Sequence, residues 1–321
     1  MTTNLPTPAA PLRIGTRGSP LALAQAHETR DRLAQAFDLP HAAFEIVVIK
    51  TTGDDRAMID ADRPLKEIGN KGLFTKEIEE AMLSGGIDIA VHSMKDMPVA
   101  QPAGLLLDTY LPREDVRDGF VSSAHGALAD LPEGAVVGTS SLRRKAQVLN
   151  RRPDLNVVEF RGNVQTRVRK LGDGVADCTF LAMAGLKRLG AVADLPVTPV
   201  DVDQMLPAVA QGAIGIERRG DDSRAADMLA AIHDLETGQR LAAERACLAA
   251  LDGSCETPIA GLAMLDSGNV RLRAEILRPD GSEALAESGE ALIEDGVALG
   301  REIAERLKAQ AGPGFFDWRQ E

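Results

Sequence analysis

Two α/β lobes in series, followed by a smaller α+β domain, is the architecture that this chain predicts. Three observations carry the prediction. Strand and helix patterns alternate from Leu12 onward, the alternation restarts after Asp118, and from about Asp222 two helical stretches give way to consecutive strand patterns. A length of 321 residues accommodates two or three domains, and 44% hydrophobic residues can build their cores. Alternating elements imply largely parallel sheets, whose ligands sit beyond the carboxyl ends of the strands, so a cleft between the lobes is the expected site.

After a Pro-rich start, Leu12 to Thr16 predicts a strand. Ser19-Pro20 then supplies an N-cap and a proline at the first helical position for a helix from Leu21 to Phe37. Phe44 to Lys50 is a β-branched strand pattern, Phe74 to Leu83 a helix with Phe74, Ile78 and Met82 on one face, and Ile87 to His92 an apolar strand. Between them, residues 54–72 mix Pro64, Gly69 and Gly72 with many charges and little periodicity, which predicts a mobile loop acting as a lid. In the second lobe, strands are expected at Gly134–Gly138, Leu155–Phe160 and Cys178–Ala182. Helices are expected at Ser141–Asn150, Val164–Leu171 and from Leu186 onward. The last domain predicts helices at Ser223–Ile232 and Thr237–Leu251, strands at Ile259–Leu265, Val270–Leu277 and Ala284–Ser288, and a closing helix at Gly296–Ala309.

Composition excludes several classes. With 36 Lys and Arg against 48 Asp and Glu, the net charge is -12, which disfavours attraction to nucleic acid or anionic membrane. Aromatic residues make up 3%, too few for a base-stacking surface. No apolar run approaches the roughly 20 residues that span a bilayer. Met1 to Pro11 lacks the features of a secretory signal, so a cytoplasmic protein is expected. Cys178, Cys247 and Cys255 form no CxxC pair, which argues against a disulfide framework or a zinc knuckle.

Charge position is more informative than charge total. From Arg143 to Arg188 there are eleven cations and four acids, so this stretch carries +7 and the remainder -19. A cationic pocket in an acidic protein suits a small polyanion. Gly138-Thr139-Ser140-Ser141-Leu142-Arg143-Arg144 joins a strand to a helix, where free N–H groups, small hydroxyls and two arginines make an anion site. Arg13, Arg17 and Ser19 surround one strand-to-helix turn, and Arg161-Gly162-Asn163 with Arg167 another. Val91-His92-Ser93-Met94-Lys95-Asp96 ends an apolar strand, and Asp96 beside Lys95 is suited to proton transfer or to stabilising a cation. Cys255, in a turn between a helix and a strand, is a candidate nucleophile or attachment point. Cys178 and Cys247 are expected to be packed.

Taken together, these segments resemble the porphobilinogen deaminase (hydroxymethylbilane synthase) family. The resemblance runs from about Leu12 to the last helix, on Arg13-Ile14-Gly15-Thr16-Arg17-Gly18-Ser19-Pro20-Leu21-Ala22, Gly69-Asn70-Lys71-Gly72-Leu73-Phe74, Ala90 to Asp96, Gly138 to Arg144, Arg161-Gly162-Asn163-Val164, Ala184 to Gly190, Pro207 to Glu217 and the Cys255 turn. It implies a cytosolic, monomeric transferase of tetrapyrrole synthesis. Such an enzyme joins four porphobilinogen molecules head to tail with loss of ammonia and releases hydroxymethylbilane. The implied cofactor is a dipyrromethane bound by a thioether to the residue matching Cys255. Each pyrrole bears an acetate and a propionate, which would account for the +7 stretch.

By the same resemblance, Asp96 is the catalytic carboxylate. It would help protonate the departing amine, stabilise the positively charged azafulvene and assist loss of the α-proton. Lys95, Thr139, Ser140, Ser141, Arg143, Arg144 and Arg188 would bind the cofactor, and Arg17, Ser19, Arg161, Arg167, Lys71 and Gln211 the substrate. No metal is needed. The implied fold is two periplasmic-binding-protein-like lobes with mixed doubly wound sheets plus a small C-terminal α+β domain. Its boundaries are 12–112 with 213–230, then 117–206, then 234–321. One departure is Glu67, where many relatives carry Lys, which leaves Lys71 as the expected loop contact. Two other classes share some of these features: a non-catalytic two-lobed anion-binding protein and an enzyme of phosphorylated sugars. Neither accounts for Asp96 together with a turn cysteine, and colour with Ehrlich's reagent separates both from a pyrrole enzyme.

Overall fold

The fold is that of a computed structural model, in which residues 5–51, 75–253 and 257–319 are described. The chain divides into two compact units. One comprises the described parts of 1–58, 69–114 and 212–238, and the other those of 59–68, 115–211 and 239–321.

The first unit is built on a sheet of strand order β2-β1-β3-β10-β4, where β1 is Leu12–Thr16, β2 Phe44–Val48, β3 Ile89–Ser93, β4 Leu105–Tyr110 and β10 Ile214–Arg219. Strands β1, β2 and β3 run parallel. Strand β10 is antiparallel to both of its neighbours, so the expectation of a largely parallel sheet is corrected to a mixed one. Helix α1 (Pro20–Phe37) starts where the sequence places it: Ser19 is the N-cap, its Oγ accepts from Ala22 N at 3.3 Å, and Pro20 needs no partner for a missing N–H. It stops at Asp38, whose φ of 51° and ψ of 48° turn the chain out of the helix.

Alternation along β3 divides the core. Ile89 and Val91 join Leu12, Ile14, Leu33, Ile216 and Met228 on one side of the sheet. Ala90 joins Ile78, Met82, Ile87 and Leu105 on the other. The second side is covered by α2 (Lys76–Leu83), the helix expected from Phe74. The first is covered by α1 and by a helix at Ser223–Ala230.

The second unit holds a sheet of order β7-β6-β8-β5-β9, with β5 Asp118–Val121, β6 Val136–Gly138, β7 Asn156–Val158, β8 Cys178–Ala182 and β9 Val197–Pro199. Strands β6, β7 and β8 are parallel, and β5 is inserted antiparallel between β8 and β9. Helices α3 (Leu142–Arg151), α4 (Val164–Gly172) and α5 (Met183–Arg188) follow the three parallel strands. Gly138, at the end of β6, packs so closely on Phe160 that a Cβ there would lie 2.6 Å from its ring.

The same unit contains an antiparallel sheet of order β11-β12-β13, formed by Ile259–Asp266, Asn269–Leu277 and Ala284–Leu292, with a helix at Gly296–Ala311. Strand β13 is longer than its sequence pattern suggests because every residue from Ala284 to Leu292 pairs with β12. The expected lid at 54–72 lies outside the described residues. Among the described residues no helix is long and apolar enough to cross a membrane.

Candidate active site

In the first unit the carboxyl ends of β1 and β3 deliver the predicted residues to one place. A shallow recess, open to solvent, is lined by Arg17 and Ser19 from the turn after β1, by Gln25 from α1, and by His92, Ser93 and Asp96 from the end of β3. Gln25 Nε2 donates to Ser93 Oγ at 2.9 Å, tying the second turn of α1 to the end of β3. Asp96 ends a short 3₁₀ turn, Met94–Asp96, so its carboxylate is displayed on the strand end rather than drawn into the sheet. Lys95 lies within that turn and is half-buried. Arg13 is a correction: its N–H and guanidinium bind Asp88 at 2.8 to 3.2 Å, ahead of β3, so it serves the amino ends of the strands and not the site.

In the second unit, turns after the three parallel strands carry the remaining candidates. Each hydroxyl of Thr139, Ser140 and Ser141 accepts a backbone N–H: from Ser141 at 3.2 Å, from Phe160 at 2.9 Å and from Arg144 at 3.4 Å. A hydroxyl that accepts in this way keeps its own proton to donate. Ser140 and Ser141, both half-buried, therefore present O–H donors at the N-terminus of α3, suited to carboxylates, while Thr139, 2% exposed, steadies the turn from within. Arg161 follows β7 and is 6% exposed. Arg167 Nε donates to Gly162 O at 2.9 Å, and Asn163 caps α4 by accepting from Thr166 N at 2.9 Å. Arg188 ends α5 and is half-buried.

Arg143 and Arg144 are placed differently from a pair of ligand-facing forks. Each is 4% exposed, and both converge on Asp118, which is 0% exposed at the start of β5. Arg143 Nη2 donates to Asp118 Oδ2 at 2.8 Å, and Arg144 Nη2 and Nε donate to Oδ1 at 2.7 and 3.2 Å. Gln211, also 0% exposed, gives its amide to Asp118 Oδ1 at 3.0 Å and to Val116 O at 2.8 Å. Burial pushes the Asp118 carboxyl up, and the two guanidiniums more than reverse this, holding it well below the usual carboxylate range. Asp118 was not among the sequence candidates. The signal available was a lone acid heading the apolar stretch Asp118-Gly119-Phe120-Val121.

The cationic window is also smaller than its residue count. Arg151 reaches Glu275 at 3.8 Å and Lys187 reaches Asp115 at 3.3 Å, while Arg143 and Arg144 meet Asp118. All three acids lie outside the window. Cys178 and Cys247 are buried free thiols, pushed up to about 12 by burial, so neither is a nucleophile. Cys255, Lys71 and Glu67 lie outside the described residues.

The fold and these strand ends define a class: an α/β protein whose parallel strands end on donors for carboxylates, with one carboxylate, Asp96, among them. Comparison with known proteins gives the family. The model described as "Porphobilinogen deaminase, dipyromethane cofactor binding domain" matches residues 12–227, and "Porphobilinogen deaminase, C-terminal domain" matches 239–309. The chain belongs to the porphobilinogen deaminase family. The porphobilinogen deaminase of Paracoccus denitrificans (strain Pd 1222) is 64% identical over 316 residues, covering 98% of this chain and 99% of that protein. The chloroplastic porphobilinogen deaminase of Pisum sativum is 53% identical over 312 residues, covering 95% and 83%. A periplasmic substrate-binding protein of an ABC transporter from Coxiella burnetii shares 15% identity at a TM-score of 0.40, over 70% of this chain and 93% of that one.

The family's cofactor is a dipyrromethane, and the residues present fit it. Its acetate and propionate groups call for donors. The turn at 139–141 offers the hydroxyl protons of Ser140 and Ser141 at a helix N-terminus, with no acid of its own competing for them.

Proposed function

We propose that this chain condenses four porphobilinogen molecules head to tail onto a covalent dipyrromethane primer, with loss of ammonia at each step, and then releases hydroxymethylbilane by hydrolysis. The observation that carries this reading is the recess at the carboxyl ends of β1 and β3. It brings a cation and a hydroxyl, Arg17 and Ser19, into the same recess as a carboxylate, Asp96. A substrate with two carboxylates and a developing positive charge needs both kinds of group.

Cys255 is the attachment point. Lys95, Thr139, Ser140, Ser141, Arg143, Arg144 and Arg188 hold the cofactor, the two buried arginines acting by their charge and by fixing the start of α3. Arg17, Ser19, Arg161, Arg167 and Lys71 bind substrate carboxylates, and Gln211 supports Asp118. When bound, the dipyrromethane supplies the free pyrrole carbon at which chain growth starts.

The guanidinium of Arg17 and the hydroxyl of Ser19 orient the substrate through its carboxylates. Asp96 stabilises the positive charge that develops as the aminomethyl nitrogen leaves, by a charge-assisted contact to the pyrrole N–H. The chain works as a monomer in the cytoplasm. Its domains are 12–112 with 213–230, 117–206, and 234–321, the last carrying the cysteine.

The test is the intact mass of the purified, denatured chain before and after brief exposure to porphobilinogen. A mass excess of two linked pyrrole units, absent in Cys255→Ser and extended in single-unit steps by substrate, is expected. A chain that takes up no adduct from porphobilinogen or preformed hydroxymethylbilane would overturn the reading in favour of a non-catalytic anion-binding protein.

A further inference from the structure

We infer that Thr75 is a substrate-binding residue of this recess, its hydroxyl accepting a hydrogen bond from the ammonium of the porphobilinogen aminomethyl group. The inference rests on the function proposed above and concerns the part of the substrate that the carboxylate donors leave unanswered. Thr75 lines the recess together with Arg17, Ser19 and Asp96. It is 2% exposed, and its Oγ1 is buried without a hydrogen-bond partner among the described residues. It also stands at the N-cap of α2, where a threonine hydroxyl ordinarily accepts from a backbone N–H of the first turn. Here φ is -121° and ψ is -31°, and the side chain makes no capping bond. The residue forgoes the cap and buries an idle hydroxyl, a cost that an apolar side chain of the same shape avoids. A buried hydroxyl that serves neither its helix nor its neighbours, and that borders a recess, is placed to serve a ligand.

The charges around Thr75 select a cation. Its helix carries Glu77 and Glu79 in the first turn, so the positive end of α2 is already answered by acids and offers little to a substrate carboxylate. Burial is the largest influence on Glu79 and raises its proton affinity; the Thr75 hydroxyl lowers it and Glu217 raises it, so the hydroxyl lies within the field of these acids. Glu217, on β10, is 0% exposed, and its Oε1 is buried without a partner, while Oε2 lies 3.1 Å from His92 Nε2. Lys76, next to Thr75, is exposed and reaches toward Glu80 at 3.9 Å, and Lys95 sits half-buried on the 3₁₀ turn.

Two helix starts of opposite character therefore meet the recess. The start of α1 brings Arg17 and Ser19 and has no acid in its first turn, which suits carboxylates. The start of α2 brings Thr75 with two acids behind it, which suits a cation. Porphobilinogen carries both kinds of charge, two carboxylates and one ammonium. The ammonium has only protons to donate, and a hydroxyl oxygen accepts one of them without itself being ionised. Such a contact orients the aminomethyl nitrogen before it leaves, and Asp96 keeps the role given above.

The test uses the cofactor-loaded protein, the variants Thr75→Val and Thr75→Ser, and a porphobilinogen analogue with methyl in place of aminomethyl. The analogue keeps both carboxylates and the pyrrole N–H. In Thr75→Val, adduct mass is unchanged and the thermal midpoint is equal to or above that of the wild type, because no protein bond is lost with the oxygen. Its KM for porphobilinogen rises on the order of tenfold while kcat stays within about threefold, and Thr75→Ser stays within about threefold of wild type in both. The inhibition constant of the methyl analogue moves less than about twofold in Thr75→Val, since the analogue has no ammonium to lose. A KM for porphobilinogen within about twofold of wild type in Thr75→Val would overturn the inference. So would an equal weakening of substrate and analogue, which would assign the hydroxyl to a carboxylate, or a midpoint lowered by more than about 4 °C, which would make it structural. A wild type that releases no ammonia from porphobilinogen would instead sink the parent reading, so the two failures are told apart.

Discussion

Replacing Asp118 by asparagine removes the one charge that two buried guanidiniums share. The carboxylate accepts from Arg143 Nη2, from Arg144 Nη2 and Nε, and from Gln211 Nε2, at 2.7 to 3.2 Å. Four charge-assisted bonds at about 1.5–3 kcal/mol each would sum to about 6–12 kcal/mol. That sum overstates the loss, because the bonds share one group and asparagine keeps one acceptor oxygen. Breaking a buried ion pair from one side costs about 3–5 kcal/mol, and this is the expected loss. In a unit of this size it lowers the melting midpoint by roughly 6–20 °C. The assay is thermal and urea unfolding of wild type and Asp118→Asn at neutral pH, followed by circular dichroism. A loss below about 1 kcal/mol would refute the reasoning, since it would mean that Arg143 and Arg144 find equal partners without the carboxylate.

The pH dependence has a definite sign. Asp118 has its folded value depressed below the ordinary 3.8. Its contribution is therefore fully present above the unfolded value and is lost as pH falls below 3.8 toward the folded one. The stability difference between wild type and Asp118→Asn should stay flat from roughly pH 5 to 8 and shrink below roughly pH 4. A difference that grew on acidification would contradict the assignment of a depressed value.

Three further substitutions or modifications check other parts of the structure. Asp96→Asn should keep its covalent adduct, read by intact mass, while ammonia release falls on the order of 100-fold or more; a drop of only about twofold would make Asp96 structural. Gly138→Ala places a Cβ 2.6 Å from the Phe160 ring, so a loss of about 1–3 kcal/mol in urea unfolding is expected, and an unchanged midpoint would show that the ring yields freely. Cys178 and Cys247, with thiols pushed up to about 12, should resist iodoacetamide at pH 8 in the native protein and react after unfolding; peptide mapping that finds either one alkylated in the native state would contradict their burial.

Local pattern revealed the elements that stabilise themselves locally. Helix α1 was legible to the residue before its first turn because Ser19-Pro20 is both a cap and a steric starter. Strands β1, β3 and β8 were legible because each is an apolar run in a sheet covered on both faces. Strands β4, β5, β9 and β10 escaped periodicity, β10 being implied only by the family resemblance. Strand β5 is four residues with a glycine at its second position. Strand β10 runs Ile-Gly-Ile-Glu-Arg-Arg and shifts register against β4 between Ile216 and Glu217. Their stability comes from partners more than 60 residues away in sequence, such as Ala182 opposite Asp118 and Ser93 opposite Ile214. No short-range spacing encodes such a pairing.

The same non-local pairing decides which charges reach a ligand. Arginines at 143 and 144 looked like one cationic patch because sequence counting sees only neighbours along the chain. Strand β5, antiparallel and inserted beside β8, brings Asp118 under both of them. Two guanidiniums and one carboxylate still leave one net positive charge in a buried cluster. Glu275, which bonds Gln147 at 2.7 Å, lies 3.8 Å from Arg151 as well, so its charge is shared. A buried unit charge is expensive unless an anion answers it. The helix that carries both arginines, α3, begins at the Thr139–Ser141 turn, where the hydroxyl protons of Ser140 and Ser141 and the helix N-terminus already favour an anion. A carboxylate bound there would be held by short O–H donors at the surface and by the residual charge beneath them. On the function proposed above, arginines with almost no exposure would serve an anion site through their field and the rigidity of the turn, while the contacts would be made by its hydroxyls.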